Sequence, residues 1–296
     1  MRVGYNTNGF GFHRLDAALE ILGELGYQGV AITVDNHALN PWGSGLKQSI
    51  ATTADALKRF GMGCVLETGA RFLLDPRRKH EPTLVSAEAS GRRRRLDFLT
   101  RVLDIGAELG AEALSFWSGV KPPGIDDDAA WCWLVEGCRR LAAAADKVRI
   151  PLAFEPEPGM FIENLEQFRR LKSQVAHPAF GLTLDVGHAF LTEPVSPADC
   201  VRRWADDIHT IHLEDMRRDE HRHLFFGQGE MAFEEIFDSL RSVGFKGLVN
   251  IELSRHSHDA VATARRALAW VAPLAWSLRS HGPAAQGPSG QDYVTS

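Results

Sequence analysis

The chain has 296 residues, 44% of them hydrophobic, with 33 basic against 38 acidic side chains and a formal charge of -5. That is enough apolar material for one large core or two small ones, and the acidic balance supplies no positive field for a phosphate backbone, so nucleic acid is not an expected partner. The opening MRVGYNTNGFGFHRL has no apolar core behind a basic start, and no run is apolar for long enough to cross a bilayer. A cytoplasmic protein without a membrane partner is expected. Cys64, Cys132, Cys138 and Cys200 lack paired spacing, so they read as reduced, mostly buried residues rather than a disulfide framework or a thiolate zinc site.

Short runs rich in Val, Ile, Leu and Phe alternate with longer segments of helical period. VGYNT is followed by helical LDAALEILGELG, and GVAITV by ATTADALKRFG. GCVLET leads to a long helix from about Ala87 to Gly110, and EALSFW to DDAAWCWLVEGCRRLAAAADKV. Next come strand PLAFE with helix NLEQFRRLKSQ, strand GLTLD with helix PADCVRRWA, strand IHTIHLED with helix AFEEIFDSLRSVG, and strand GLVNIEL with a last helix inside HDAVATARRALAWVAPLAWSL. Eight such units in about 280 residues predict a single (β/α)8 TIM barrel over residues 1–280 rather than an open doubly wound sheet. Gly26, Gly61, Gly110 and Gly244 stand where helices should stop in a left-handed residue. Residues 281–296, rich in Gly, Pro, Ser and Gln, are expected to form a disordered tail. The run Arg92–Arg95 opens the long helix and is expected on its solvated outer face.

In such a barrel, chemistry sits at the C-terminal ends of the strands, so the residues that terminate the apolar runs are the informative ones. PLAFE ends in Glu155, GLTLD in Asp185, IHTIH in His212 and NIE in Glu252. Each acid alone would more simply cap a helix, and a lone His would more simply be structural. Together, acids and an imidazole aimed at one mouth carry a repulsion that a cation removes, which predicts a site for one divalent metal. Three carboxylates and one imidazole without thiolate favour Mn²⁺, with Mg²⁺ or Co²⁺ close and Zn²⁺ behind them. Six-coordination would leave two adjacent positions for neighbouring substrate oxygens.

The segments PLAFEPEPG, LTLDVGHAF, IHLEDM, GQGEMAFEEI and NIEL resemble those of the sugar phosphate isomerase/epimerase family within the xylose isomerase-like barrels. The resemblance runs from VGYNTN to the last helix, with specific motifs only in the C-terminal half. It implies metal ligation by Glu155, Asp185, His212 and Glu252. It also implies substrate contact by His188 in DVGH and by Arg218 or its neighbour Arg217. Glu155 is followed by PEPG, unlike the ketose epimerases, and the third strand ends in an additional acid. Glu67 and Glu157 are therefore further substrate-binding candidates. In the loop beyond Glu67, Arg71, Arg77, Arg78, Lys79 and His80 could grip a phosphate or carboxylate, or simply be solvated. His221 and His223, and likewise His256 and His258, read as loop residues or as contacts to substrate or a second ion.

The expected function is a metal-dependent isomerase or epimerase of a small carbohydrate-like carbonyl compound. It would act by proton abstraction beside a metal-polarised carbonyl, with Glu155 and Glu252 as catalytic base and acid and an enediolate stabilised by the cation. Alternatives are a lyase resembling inosose dehydratase, a nuclease resembling type IV AP endonucleases, and a non-catalytic metabolite-binding protein. A homo-oligomer is compatible with all of these.

Overall fold

A computed structural model of the protein describes residues 1–276; the tail expected at 281–296 lies outside the described residues. Eight parallel strands close into a barrel. They are β1 (Arg2–Asn6), β2 (Gly29–Thr33), β3 (Gly63–Glu67), β4 (Leu114–Phe116), β5 (Leu152–Phe154), β6 (Phe180–Asp185), β7 (Ile208–Leu213) and β10 (Leu248–Ile251), with β10 pairing back onto β1. An antiparallel hairpin, β8 (Asp215–Arg217) and β9 (Glu220–Leu224), is inserted between β7 and β10. The barrel strands are covered on both faces, which is why β2 reads GVAIT and β6 reads FGLTLD without a polar side: every residue of each is buried.

The covering helices are α1 (Leu15–Leu25), α2 (Leu46–Phe60), α3 (Ala89–Leu109), α4 (Asp127–Val148), α5 (Leu165–Val175), α6 (Val186–Thr192), α7 (Pro197–Arg203), α8 (Phe233–Ser242) and α9 (Ala260–Trp276). Their stops follow the glycine reading. Gly26, Gly61, Gly110 and Gly244 have φ of 95, 64, 66 and 68°, the left-handed region in which a residue without Cβ meets little penalty. No helix among the described residues is long and apolar enough to cross a membrane. Cys64, Cys138 and Cys200 are buried, but Cys132 is exposed on α4.

Two expectations need correction. The segment after His212 is not one continuous strand: β7 ends at Leu213 and the chain folds into the β8–β9 hairpin, so His221 and His223 lie on strand β9. Nor is the arginine run all solvated. Arg93 and Arg94 are exposed and Arg92 stacks on Trp133 at 3.8 Å, but Arg95 is only 3% exposed. Three residues on from Arg92 is close to one helical turn, yet the β3–α3 loop folds over this face, so its carbonyls rather than water receive the guanidinium. Arg95 donates to the carbonyls of Pro82, Thr68 and His80 at 2.8, 2.9 and 2.5 Å. Burial lowers its pKa to about 9, still high enough to hold its charge near neutral pH.

Candidate metal centre at the barrel mouth

Parallel pairing sets the inner ring of the site. Asp185, the last residue of β6, is the register partner of His212 on β7, and Asn250 on β10 is the partner of His212 on its other side. Glu155 and Glu252 continue the ladder just past β5 and β10, donating their amides to Phe116 and Leu213 at 2.8 and 2.9 Å. Rigid strand ends thus aim four ligand-type side chains at one point. Donor atoms of Glu155, Asp185, His212 and Glu252 lie within 4.8 Å of one another. The His212 Nδ1 is 3.0 Å from Glu155 Oε1, 2.9 Å from Glu252 Oε2 and 4.0 Å from Asp185 Oδ2.

The group is sequestered from water. Glu155, Asp185 and His212 are 6, 2 and 1% exposed. Burial disfavours an imidazolium, yet the carboxylates of Glu67, Glu155 and Glu252 outweigh it and hold His212 well above the usual histidine range. Glu155 is pushed up, chiefly by burial. Burial opposes the ionisation of Glu252 too, but His212, together with His223 and Asn8, draws its pKa below the usual carboxylate range. Asp185 Oδ1 caps α6 by accepting from the His188 amide at 2.7 Å, while its Oδ2 is buried without a donor. An acceptor in that state is one that a cation satisfies, so the residues fit a divalent ion, with three carboxylates and one imidazole as its donors.

Around this core lies a cavity of about 500 Å³, lined among others by Glu67, Glu157, His188, His223, Lys79 and Arg255. His188 Nδ1 is 3.6 Å from both Glu155 and Asp185, and its Nε2 lies 3.0 Å from Nε2 of His221. Burial holds the pKa of His188 down to about 4. His188, His221 and His223 have nitrogens within 4.8 Å of one another. Glu157 faces the cavity, and burial followed by repulsion from Glu252 and Asp185 raises its pKa to about 8. Glu67 also lines the cavity but touches His212, its Oε1 lying 2.9 Å from Nε2.

Of the other sequence candidates, Arg71, Lys79, His80 and His221 reach the cavity and the rest do not line it. Arg217 donates to the carbonyl of Gln228 at 3.1 Å, and Arg218 donates to that of Phe190 at 2.7 Å while stacking on its ring. Neither lines the mouth cavity, because the hairpin turns this segment outward just after β7. Arg71 reaches the cavity but is paired with Asp35 at 2.6 Å. Arg78 pairs with Asp75, and Arg77 is exposed. The ring of His80 packs edge-on against Trp117, its Nδ1 is 2.8 Å from the Gly69 carbonyl, and burial lowers its pKa to about 4. His256 and His258 lie on a short 3-10 turn after β10.

Sequence reasoning missed three residues. Asn8, on the 3-10 turn Thr7–Phe10 after β1, donates its Nδ2 to Glu252 Oε1 at 2.7 Å. Glu214 is fully buried behind Asp185 with neither oxygen paired to a donor; burial, then the Asp185 carboxylate, push its pKa well up. Asp215 accepts from the amides of Gly227 and Gly229 at 2.8 Å each, tying the GQGE segment to the start of the hairpin. The acid pair Glu214-Asp215 directly after a ligand-bearing strand was the signal for the last two. Nothing in the sequence marks Asn8.

Fold and mouth together define a closed (β/α)8 barrel with an acid-and-imidazole cluster at the C-terminal ends of its strands. The profile of the xylose isomerase-like TIM barrel family matches residues 19–274, and the chain belongs to that family. Among curated relatives, the inosose dehydratase of Geobacillus kaustophilus is 28% identical over 142 residues, 42% of this chain and 46% of that protein. The chain therefore aligns with less than half the length of that relative. Among solved structures, the Escherichia coli 3-keto-D-glucoside 4-epimerase YcjR superposes with a TM-score of 0.75 at 18% identity, covering 92% of this chain and 99% of that one. The IOLI protein with a bound zinc atom superposes with a TM-score of 0.73 at 17% identity, covering 94% and 100%. At these identities the superpositions speak for the fold.

Proposed function

We propose that the protein is a divalent-metal-dependent isomerase or epimerase of a small polyhydroxylated carbonyl compound, with the ion held by Glu155, Asp185, His212 and Glu252. The observation that carries the reading is the convergence of those four side chains to within 4.8 Å, with a buried Asp185 oxygen lacking a donor. The 3-keto-glucoside epimerase and the zinc-binding neighbour support it as analogues on the same fold. Manganese is our preferred ion, with magnesium, cobalt or zinc as alternatives.

A bound cation supplies charge that polarises a substrate carbonyl and fixes neighbouring oxygens. The chain's own residues divide the proton work. Of the two, Glu155 is the more readily protonated and Glu252 the more readily ionised, burial raising the pKa of the first and His212 and Asn8 lowering that of the second. Two carboxyls whose surroundings push their pKa values apart are the pattern of an acid and a base. Glu252 takes the proton next to the carbonyl and Glu155 returns one. His188, Glu157 and the cavity rim orient the substrate hydroxyls.

The test is turnover in deuterated water with ketoses and 3-keto-glycosides as substrates. Deuterium should appear at the carbon next to the carbonyl, and Glu155→Gln and Glu252→Gln should each lower the rate by about a hundredfold to ten-thousandfold. Product without solvent deuterium would replace proton transfer by a hydride shift. A second reading, a dehydratase, is favoured by the similarity to inosose dehydratase. Loss of water from the product, seen by mass spectrometry, separates the two.

A further inference from the structure

His212 has acidic partners on both ring nitrogens, and the two sides differ. Nδ1 faces Glu155, Glu252 and, farther off, Asp185, the residues that converge with it into one donor group. Among the described residues Nε2 is bonded to Glu67 alone, at 2.9 Å, and Glu67 is not a member of that group. Opposite edges of one imidazole cannot face the same ion, so an ion among the four donors uses Nδ1 and leaves Nε2 to Glu67.

Glu67 is well placed to hold that bond. It is the last residue of β3, in register with Thr33 on β2 and Ser115 on β4. Its carbonyl accepts from the amide of Val34 at 2.9 Å, and the next residue, Thr68, donates its hydroxyl to the carbonyl of Ser115 at 2.7 Å. The side chain is 7% exposed, so little water competes for its oxygen. An imidazole that ligates through one nitrogen is commonly oriented by a carboxylate on the other, which fixes the tautomer and strengthens the ligand.

We propose that Glu67, which lines the cavity like a substrate contact, is instead a positioning residue: it accepts the Nε2–H of His212 and so turns Nδ1 toward Glu155, Asp185 and Glu252, where that nitrogen can exchange its proton for an ion. This rests on the four-residue centre proposed above for its metal-binding consequence, but the hydrogen bond itself exists with or without an ion. The role assigned to Glu67 is therefore to set which nitrogen of His212 is available and in what orientation.

The experiment compares wild type, Glu67→Leu, Glu67→Gln and His212→Ala. The first readout is proton NMR of ion-free protein labelled with ¹⁵N-histidine. The His212 Nε2–H should give a slowly exchanging, strongly downfield resonance in wild type, persist in Glu67→Gln, whose amide oxygen still accepts, and vanish in Glu67→Leu. The second is zinc affinity by chelator competition. Glu67→Leu should bind about ten- to hundredfold more weakly than wild type, with Glu67→Gln recovering most of the loss, and His212→Ala should lose tight binding. An unchanged Nε2–H resonance in Glu67→Leu overturns the proposal. So does wild-type zinc affinity in Glu67→Leu when His212→Ala has lost it, a result that leaves the metal centre standing. Wild-type affinity in His212→Ala removes the centre and this role of Glu67 together. Where Glu67→Leu fails to fold, Glu67→Gln decides: its neutral oxygen is a weaker acceptor than the carboxylate, so the Nε2–H resonance should persist but move upfield of wild type, and an unmoved resonance overturns the proposal.

Discussion

The two halves of the barrel contribute to the mouth in different ways. From β5 onward, strand ends supply the donors themselves: Glu155, Asp185, His212 and Glu252. From β1 to β4 come residues that hold those donors: Asn8 on Glu252 and Glu67 on His212. Arg95 at the start of α3 pins the loop that roofs this side, through Thr68, His80 and Pro82. Donor and holder obey different constraints. A donor must be acidic or imidazole at a strand end, whereas a holder needs only one well-aimed polar atom.

If that division is right, substitutions in the two halves should differ in size and kind. The largest effect belongs to the donors: His212→Ala or Asp185→Ala should leave the purified protein without stoichiometric divalent metal by elemental analysis, each losing one of four ligands. Metal retained at about one ion per chain in both would break the comparison at its centre.

Arg95→Met should come next, and in stability rather than chemistry. It strands three carbonyls, two of them in buried bonds and one part-buried, so a loss of about 2–5 kcal/mol in urea unfolding is expected. An unchanged midpoint would mean that the roofing loop holds itself. Asn8→Ala should be milder, with metal affinity falling about tenfold, at the low end for an outer partner, and the melting temperature unmoved. A loss as large as that of His212→Ala would promote Asn8 from holder to donor.

The smallest effect is a pH dependence. In the ion-free protein the pKa values of His212 and Glu155 lie above the usual ones, so protons compete with an ion for both. Metal uptake should therefore release protons, and affinity should rise with pH. Calorimetry in buffers of different ionisation heat measures the release, and uptake without it would contradict a protonated His212 and Glu155. Stability should likewise rise with pH through His80 and His188, whose pKa values burial holds down to about 4. Their contribution is complete above the unfolded value of about 6.5 and is lost as pH falls from there toward 4.

Donors could be read from the sequence because each ends an apolar run, and the β/α rhythm told which end of the barrel they occupy. The holders could not. Asn8 follows β1 in a turn, TNGF, that looks like any polar loop, and its partner lies 244 residues away. Arg95 sits in a charge run whose composition predicts solvent, and only the fold of the preceding loop buries it. Glu67 was visible as an acid at a strand end, but nothing local shows that it faces an imidazole rather than a ligand. Helix α6 was also missed. Seven residues capped by a donor-type Asp are too short to show a period, and Asp185 looked only like a ligand although it also caps.

The tie between Asp215 and the GQGE segment bears on how this part of the chain can vary by descent. A Cβ added at Gly229 would stand 2.3 Å from Asp215 Oδ1 and 2.5 Å from the Met216 carbonyl, and Asp215 in turn accepts the amides that this closeness brings to it. Neither position can change while the other stays, since a side chain at 229 evicts the carboxylate and loss of the carboxylate strands the amides. A tolerated change at one should therefore need a compensating change at the other. Between them Asp219, Glu220 and Arg222 at the tip of the hairpin are exposed and can vary, whereas Arg218 on Phe190 and His221 on His188 tie the hairpin to the mouth.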